Sequence, residues 1–395
     1  MAKYGLFKYG LAKYGLVGTT FTPIYNFKNK ISKEIEDYSF VKVEILDNFE
    51  NAIGMIEDKD IIEIQTTYTN QNGVRKTATM TLYNEDNKYT PKYREIWLNT
   101  RFKIYSGKMI NGVEKLYPRG VYVILSAQID DGLDQSTITY SLSDKYSLML
   151  GGLAGTLPTD IIIDGNVTVT DALRIVHAMS SDKKNPLITN TNIDTFYPFV
   201  CEIGGCLDDL IKPLADTISY QYGYNVHGIF ELHPEIVDSY MEYSNKASVY
   251  DFTQDDINLI ETSNIQDFTK IKNSIVVVGE NILGNLVRSE ISDNYIFSNT
   301  RKELIEERVK VITGSNLYTQ ELCDARAEYE LFIAIRLQEE INITCLVIDY
   351  IQENSIITIT NKITGLQERY LVNSVNYSSN SSTMSLSVWK IRSVI

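Results

Sequence analysis

IIEIQTTYT (61–69), NQNG (70–73) and VRKTATMTLYN (74–84) decide the fold. Both flanks alternate apolar and polar residues and are rich in Ile, Thr, Tyr and Val, the pattern of a half-buried strand. Asn72-Gly73 closes the stretch between them, and glycine there accepts the left-handed backbone that a strand-to-strand turn requires. The segment reads as a long β-hairpin, and its surroundings continue the theme. REIWLNTRFKIYSG (94–107), GVYVILSAQID (120–130) and STITYSLSD (136–144) alternate in the same way at turn-bounded spacing. Residues 42–150 therefore read as a β barrel or sandwich.

GGLAGTLP (151–158) is a small-residue break, and the periodicity then changes. Thr170 stands as N-cap to a helix over DALRIVHAMS (171–180), with Ala172, Ile175, Val176 and Met179 on one face. GCLDDLIKPLADTIS (205–219) predicts a second helix that Pro213 kinks or restarts. SYQYGYNVHGIFELHP (219–234) predicts two short strands about a tight turn, and residues 235–270 read as irregular connections. KIKNSIVVVGE (270–280) is a strongly apolar strand. LYTQELCDARAEYELFIAIRLQEE (317–340) is the best helix, with an apolar stripe of Leu322, Ala325, Tyr329, Phe332 and Leu337. The β pattern returns in 341–351, 354–379 and 383–395. The fold class is α+β, mainly β: two barrel-like β domains (31–155 and 271–395, the latter including helix 317–340) flank a small α/β insert (156–270). A basic arm (1–30) precedes them.

That arm carries Lys-Tyr-Gly-Leu three times, at 3–6, 8–11 and 13–16. A period of five suits neither helix nor strand, because successive tyrosines turn to different faces. No apolar run of signal-peptide length follows the lysines. The arm is extended, and Lys3, Tyr4, Lys8, Tyr9, Lys13 and Tyr14 are its candidate partner-binding residues. Net charge is −14 over 395 residues, yet residues 1–30 hold five lysines and no acid, leaving −19 on the rest. A basic arm on an acidic body suits a neighbouring copy or another acidic partner. The body lacks the clustered Lys and Arg of a phosphate binder. No run of about 18 apolar residues is present, so no membrane helix is expected.

Catalytic motifs are missing. Cys201, Cys206, Cys323 and Cys345 form no CxxC pair, which suits a reducing cytoplasm. His177 lies on a helix as a surface or internally satisfied histidine. His227 and His233, six apart, lack a third metal ligand. Adjacent Asp208-Asp209 and Asp255-Asp256 diverge, and Gly151-Gly152 and Gly204-Gly205 are not phosphate loops. Trp97 and Trp389 belong to packing. The chain reads as no enzyme, with no cofactor and no metal.

The order of elements resembles the baseplate and tail-tip hub proteins of tailed bacteriophages, including the structural N-terminal module of tail-associated lysins. RFKIYSG (101–107) with RGVYVILSAQID (119–130), VTVTDALRIVHAM (167–179) with CLDDLIKPLADTISYQYGYNVHGIFELHP (206–234), FTKIKNSIVVVGE (268–280) and the strands of 353–391 carry the likeness. The resemblance implies a homotrimer that caps a hexameric tail tube, each chain supplying two similar tube domains. It also implies partners: the tube or distal tail protein ring, the tape-measure protein, and a spike, fibre or lysin at the tip. DNA would be met only in transit, with no membrane insertion by this chain. The location would be the virion's tail tip, assembled in the host cytoplasm. No peptidase or lysozyme module follows Ile395, so wall cleavage would belong to another protein. A second expectation is another ring of the tail, such as the distal tail protein. A remote third is a cell-surface glycan-binding or sugar-processing β protein. The arm is expected to dock on a neighbouring subunit or tail protein and to order on assembly.

Overall fold

The computed structural model describes residues 36–391, apart from 93–95, 133–134, 235–246, 254–255, 266–267, 282, 295–297, 299, 315, 337–339 and 361–366. The arm residues Lys3, Tyr4, Lys8, Tyr9, Lys13 and Tyr14, like Asp255 and Leu337, lie outside these. The chain is mostly β, with large antiparallel sheets and few helices.

Seven strands form the first half: β1 (Glu36–Leu46), β2 (Ala52–Ile56), β3 (Ile61–Thr69), β4 (Lys76–Tyr83), β5 (Arg101–Ile110), β6 (Val113–Asp131) and β7 (Ser136–Asp144). A middle region follows, with β8 (Ile161–Ile163), α1 (Val169–Ala178), β9 (Leu187–Ile188), β10 (Phe199–Cys201), α2 (Asp208–Ile218), β11 (Tyr220–Tyr224) and β12 (Phe230–Pro234). Then come β13 (Tyr250–Phe252), β14 (Leu259–Ile265), β15 (Ser274–Glu280), β16 (Leu286–Ser292), β17 (Val309–Thr313) and α3 (Gln320–Arg336). The end is β18 (Glu340–Leu346), β19 (Ile356–Thr360), β20 (Gln367–Ser378) and β21 (Thr383–Ile391).

The hairpin at 61–84 is where the chain halves join. β4 alternates strictly, with Ala78, Met80 and Leu82 inward. On its other edge β3 pairs antiparallel with β20, from Thr69↔Ser374 to Gln65↔Ser378. One open sheet thus runs β14-β18-β21-β20-β3-β4-β7-β6-β5-β1-β2, with β19 and β13 attached beside β20. It does not close into two separate barrels. β3 serves both cores: Ile64 packs with Met80, Phe102 and Tyr140, whereas Tyr68 packs with Tyr370, Val375 and Leu386.

The connection from β3 to β4 is wider than a two-residue turn, because Val74 and Arg75 stay in the loop. Its ladder is given up for contacts with the middle region. Gly73, at φ 86°, donates its N–H to the Tyr222 carbonyl at 3.2 Å, and Asn72 Oδ1 accepts from the Tyr222 N–H at 3.1 Å.

The middle region builds its core from α1, α2 and β11–β12, around Leu173, Val176, Leu210, Leu214, Phe230 and Leu232. Thr168, not Thr170, caps α1, accepting the Asp171 N–H at 3.1 Å; Thr170 is buried in the first turn. The buried face is rotated from the expected one: Ala172, Leu173 and Val176 go inward, while Ile175 and Met179 stay exposed. Leu173 belongs to the core of the middle region. α2 runs through Pro213 as one helix. A proline inside a helix costs about 3 kcal/mol, but full burial of Leu210, Ile211 and Leu214 returns about 1.5–3 kcal/mol each.

α3 lies against its own three-stranded sheet, β16-β15-β17. Leu322, Cys323, Ala327, Leu331 and Ala334 form its buried stripe, whereas Ala325 is exposed and Phe332 half-buried. The turn before α3 crosses the end of β15 so closely that a Cβ on Gly279 would lie 1.7 Å from the Leu317 carbonyl oxygen. Gly279→Ala is therefore expected to lower stability by about 1–3 kcal/mol, as overpacking does, measured by urea unfolding. A shift within error would show that this crossing relaxes freely.

Candidate functional site

Five basic side chains of the first half, Arg75, Lys76, Arg101, Arg119 and Lys145, are at most 4% exposed. Burial of a cation demands paired anions and hydrogen bonds, and three of them, Lys76, Arg119 and Lys145, meet carboxylates across joints of the structure. Lys145 follows β7 directly and opens a 3-10 turn, Lys145–Met149. Its Nζ donates to Asp182 Oδ1 at 2.8 Å and pairs with Glu50, both carboxylates also buried. Glu50 in turn binds Arg101 Nη1 at 3.1 Å and pairs with Lys184. Asp182 Oδ2 accepts the Tyr224 hydroxyl at 2.9 Å and lies 3.7 Å from His177 Nε2. Burial alone would raise the Asp182 pKa. The His177 ring, the Lys145 ammonium and the Lys184 amide reverse this and hold the carboxyl well below the usual range. Burial pulls the Lys145 ammonium down, with Asp182 and Glu50 opposing. This cluster fastens the first half to the middle region.

A second cluster fastens the first half to the last strands. Lys76 Nζ pairs with Glu353 and donates to the Tyr224 carbonyl at 2.7 Å. Arg119 donates from Nη2 to Asp349 Oδ1 at 2.8 Å and from Nε to Ser106 at 2.9 Å, and lies 4.2 Å over the Tyr377 ring. The Arg119 carbonyl accepts both Tyr68 and Tyr122 hydroxyls, at 2.9 and 2.7 Å. Asp144, buried beneath, takes the backbone N–H groups of Arg75, Lys76 and Tyr146 at 2.8–3.0 Å. These carboxylates and cations form a clamp.

The histidines are dispersed. His177 is buried against the Phe230 ring at 5.1 Å, His227 is exposed in the turn after β11, and His233 ends β12. Among the described residues no group of three His, Cys, Asp or Glu side chains is placed to hold a metal. Trp97 is 38% exposed, and Trp389 packs beside Ile356 and Leu371.

Surfaces suited to assembly are the other observation. β2 and β14 end the large sheet, each pairing on one side among the described residues. An unpaired strand edge is a template for another chain. Ile53 and Met55 on β2 and Ile260 on β14 are exposed, as are Phe49 and Ile257 in the turns before them.

The fold has close counterparts among solved structures. It is similar to the tail protein from Neisseria meningitidis MC58 (TM-score 0.61, 11% identity, covering 89% of this chain and 96% of that one). It is similar to the prophage MuSo2 43 kDa tail protein from Shewanella oneidensis (TM-score 0.58, 14% identity, 89% and 98%). The third is the E. coli c3393 protein, a type VI secretion system component with structural similarity to the T4 bacteriophage tail proteins gp27 and gp5 (TM-score 0.50, 9% identity, 89% and 77%). By sequence, residues 294–394 match a domain family of unknown function, DUF5048. No curated protein matches. The chain thus has the fold of phage tail proteins.

Proposed function

We propose that this chain is a structural hub of a phage tail tip, non-enzymatic, whose copies form a ring at the distal end of the tail tube. One observation carries the reading: two β units of one chain joined edge to edge through β3 and β20, in a fold shared with tail proteins. Two tube-like units per chain let three copies present six similar units to a hexameric tube. In this reading residues 31–155 are the first tube domain, 156–270 the insert, and 271–395 the second, to which β13 and β14 add from before residue 271. The buried clamps support it, since a ring element under load needs its units held at fixed angles. The exposed apolar edges β2 and β14 support contact between copies. Expected partners are the tube or distal tail ring, the tape-measure protein, and a spike, fibre or lysin, with DNA passing only in transit.

Native mass spectrometry of the purified protein, with cryo-EM of the particle, tests this. Three copies at the tail tip are expected; a ring of six would identify a distal tail protein instead, and a stable monomer with no place in a tail would end the proposal. The arm belongs to the same reading: its lysines and tyrosines dock on a neighbouring subunit. Deleting residues 2–18 is expected to impair tail assembly while leaving the thermal unfolding of the body within a few degrees of the full chain. Normal particles from that deletion would remove the arm's role.

A further inference from the structure

The segment 195–200, helix α2 and the turn before α3 enclose a cleft of about 220 Å³. Phe196, Tyr197, Val200, Pro213, Asn316 and Tyr318 stand in its wall. The Phe196 ring lies 5.1 Å from both the Tyr197 and the Tyr318 rings. The frame is fixed: Asn316 Nδ2 donates to the Pro213 carbonyl and to Thr217 Oγ1, each at 3.1 Å, and the Tyr318 hydroxyl donates to the Asp194 carbonyl. Outside the cleft the apolar surface continues along the β8–β10 ladder, where Ile162 and Val200 are direct partners and are 61% and 56% exposed. Next to the lining residues in sequence, Asp194 and Glu202 are exposed, as is Asp160 on the loop that accepts the Ile203 N–H; Lys212 is the lone cation of residues 194–213, and Arg326 donates to the Asp216 carbonyl of α2.

The volume falls below the roughly 300–1,000 Å³ of a small-molecule site, so the cleft fits one side chain rather than a cofactor. Aromatic walls favour a ring presented edge to face, and the carboxylates next to the lining residues favour a cation beside it. The chain itself contains such a segment. Each arm repeat places a lysine before a tyrosine, then glycine and leucine, in a stretch free of acids. In an extended chain the tyrosine and the leucine two residues on share a face, about 7 Å apart. The tyrosine would enter the cleft while the leucine lies on Ile162 and Val200. Lysine's flexible stem reaches toward those carboxylates, and the glycine lets the backbone approach closely.

We propose that this cleft receives a tyrosine of the Lys-Tyr-Gly-Leu arm of a second copy of the chain. The proposal rests on the arm's assembly role and adds its docking site. Twenty-one residues lie between Tyr14 and Glu36, a span of up to about 70 Å when extended, enough to pass from one copy to the next.

The test uses the full-length protein with the photo-crosslinker p-benzoylphenylalanine in place of Tyr9, mixed with isotope-labelled chain. Cross-links between copies are expected at residues 195–203 or 316–318. Val200→Glu should reduce them at least about tenfold, as loss of a binding centre does, and 500 mM salt should weaken them relative to 50 mM. Val200 is exposed, so this change leaves the core intact; Val311→Glu, exposed on β17, should leave the cross-links unchanged. Cross-links elsewhere, within one chain only, absent, or insensitive to Val200→Glu each overturn the proposal. If deletion of residues 2–18 blocks assembly while Val200→Glu does not, the arm's role stands and the cleft is wrong; if the deletion has no effect, the arm's role itself fails.

Discussion

Alanine in place of Lys145 lowers the unfolding free energy by about 3–5 kcal/mol, the cost of leaving buried carboxylates without their cation. The Lys145 side chain is fully buried between Asp182 and Glu50, themselves 2% and 4% exposed. After its loss Glu50 keeps Arg101 and Lys184, whereas Asp182 keeps the Tyr224 hydroxyl, the His177 ring and the Lys184 amide. Lys145→Met separates packing from charge, since it retains most of the stem volume and should remain almost as destabilised as alanine. The combined change Lys145→Met, Glu50→Gln, Asp182→Asn should recover part of the loss, because replacing a whole buried ion set is far gentler than breaking it. Urea unfolding supplies the numbers. A loss under about 1 kcal/mol in Lys145→Ala would mean water already reaches the cluster.

Acid supplies an independent check on the same cluster. The folded Asp182 pKa is depressed below its ordinary 3.8, so its contribution is fully present above that value and is lost as pH falls through the folded pKa. Lys145→Ala removes one of the groups that depress it. The variant should therefore begin to unfold at a higher pH than the parent in an acid titration followed by circular dichroism. Identical acid midpoints would place the depression elsewhere, in His177 or the backbone donors.

Much of the architecture was legible because alternation is local. In β4 the residues Ala78, Met80 and Leu82 declare one inward face, and no distant contact is needed to read it. The same holds for α2, whose Leu210, Ile211 and Leu214 recur at helical spacing. What escaped was long range. That β3 pairs with a strand more than 300 residues away depends on two open edges meeting, and nothing within IIEIQTTYT encodes its second neighbour. Thr168 outcompeted Thr170 as the α1 cap because the strand-like entry of the chain puts Thr168 outside the first turn. The clamp residues did leave one readable trace: Lys76 stands at the inward parity of β4, where a charge is tolerated only against a buried partner. Its partner, Glu353, could not be named from spacing. The docking role assigned to the arm's lysines and tyrosines lies beyond the described residues altogether.

Arg119→Ala is expected to be comparably damaging, at about 3–5 kcal/mol, and to act on the joint between the two β units. Arg119 is 1% exposed on β6, and its guanidinium reaches Asp349, three residues beyond the end of β18. Its removal leaves Asp349 with Lys108 at 3.5 Å and strips the face of Tyr377, a residue of β20. Because β20 is the strand that pairs with β3, the loss should propagate to that pairing. Hydrogen exchange at residues 65–69 and 374–378 should accelerate together, more than at β15, which pairs with β16 and β17 in a separate sheet. Asp349→Ala should resemble Arg119→Ala, and the double variant should be less destabilised than the sum by at least about 1 kcal/mol, the coupling of a contacting pair. Additive effects, or exchange that rises uniformly over the sheet, would reduce Arg119 to an ordinary packed residue. A coupled response would show that a buried cation, present in place of a hydrophobic side chain of like volume, couples the two units where they meet, as the ring proposed above requires.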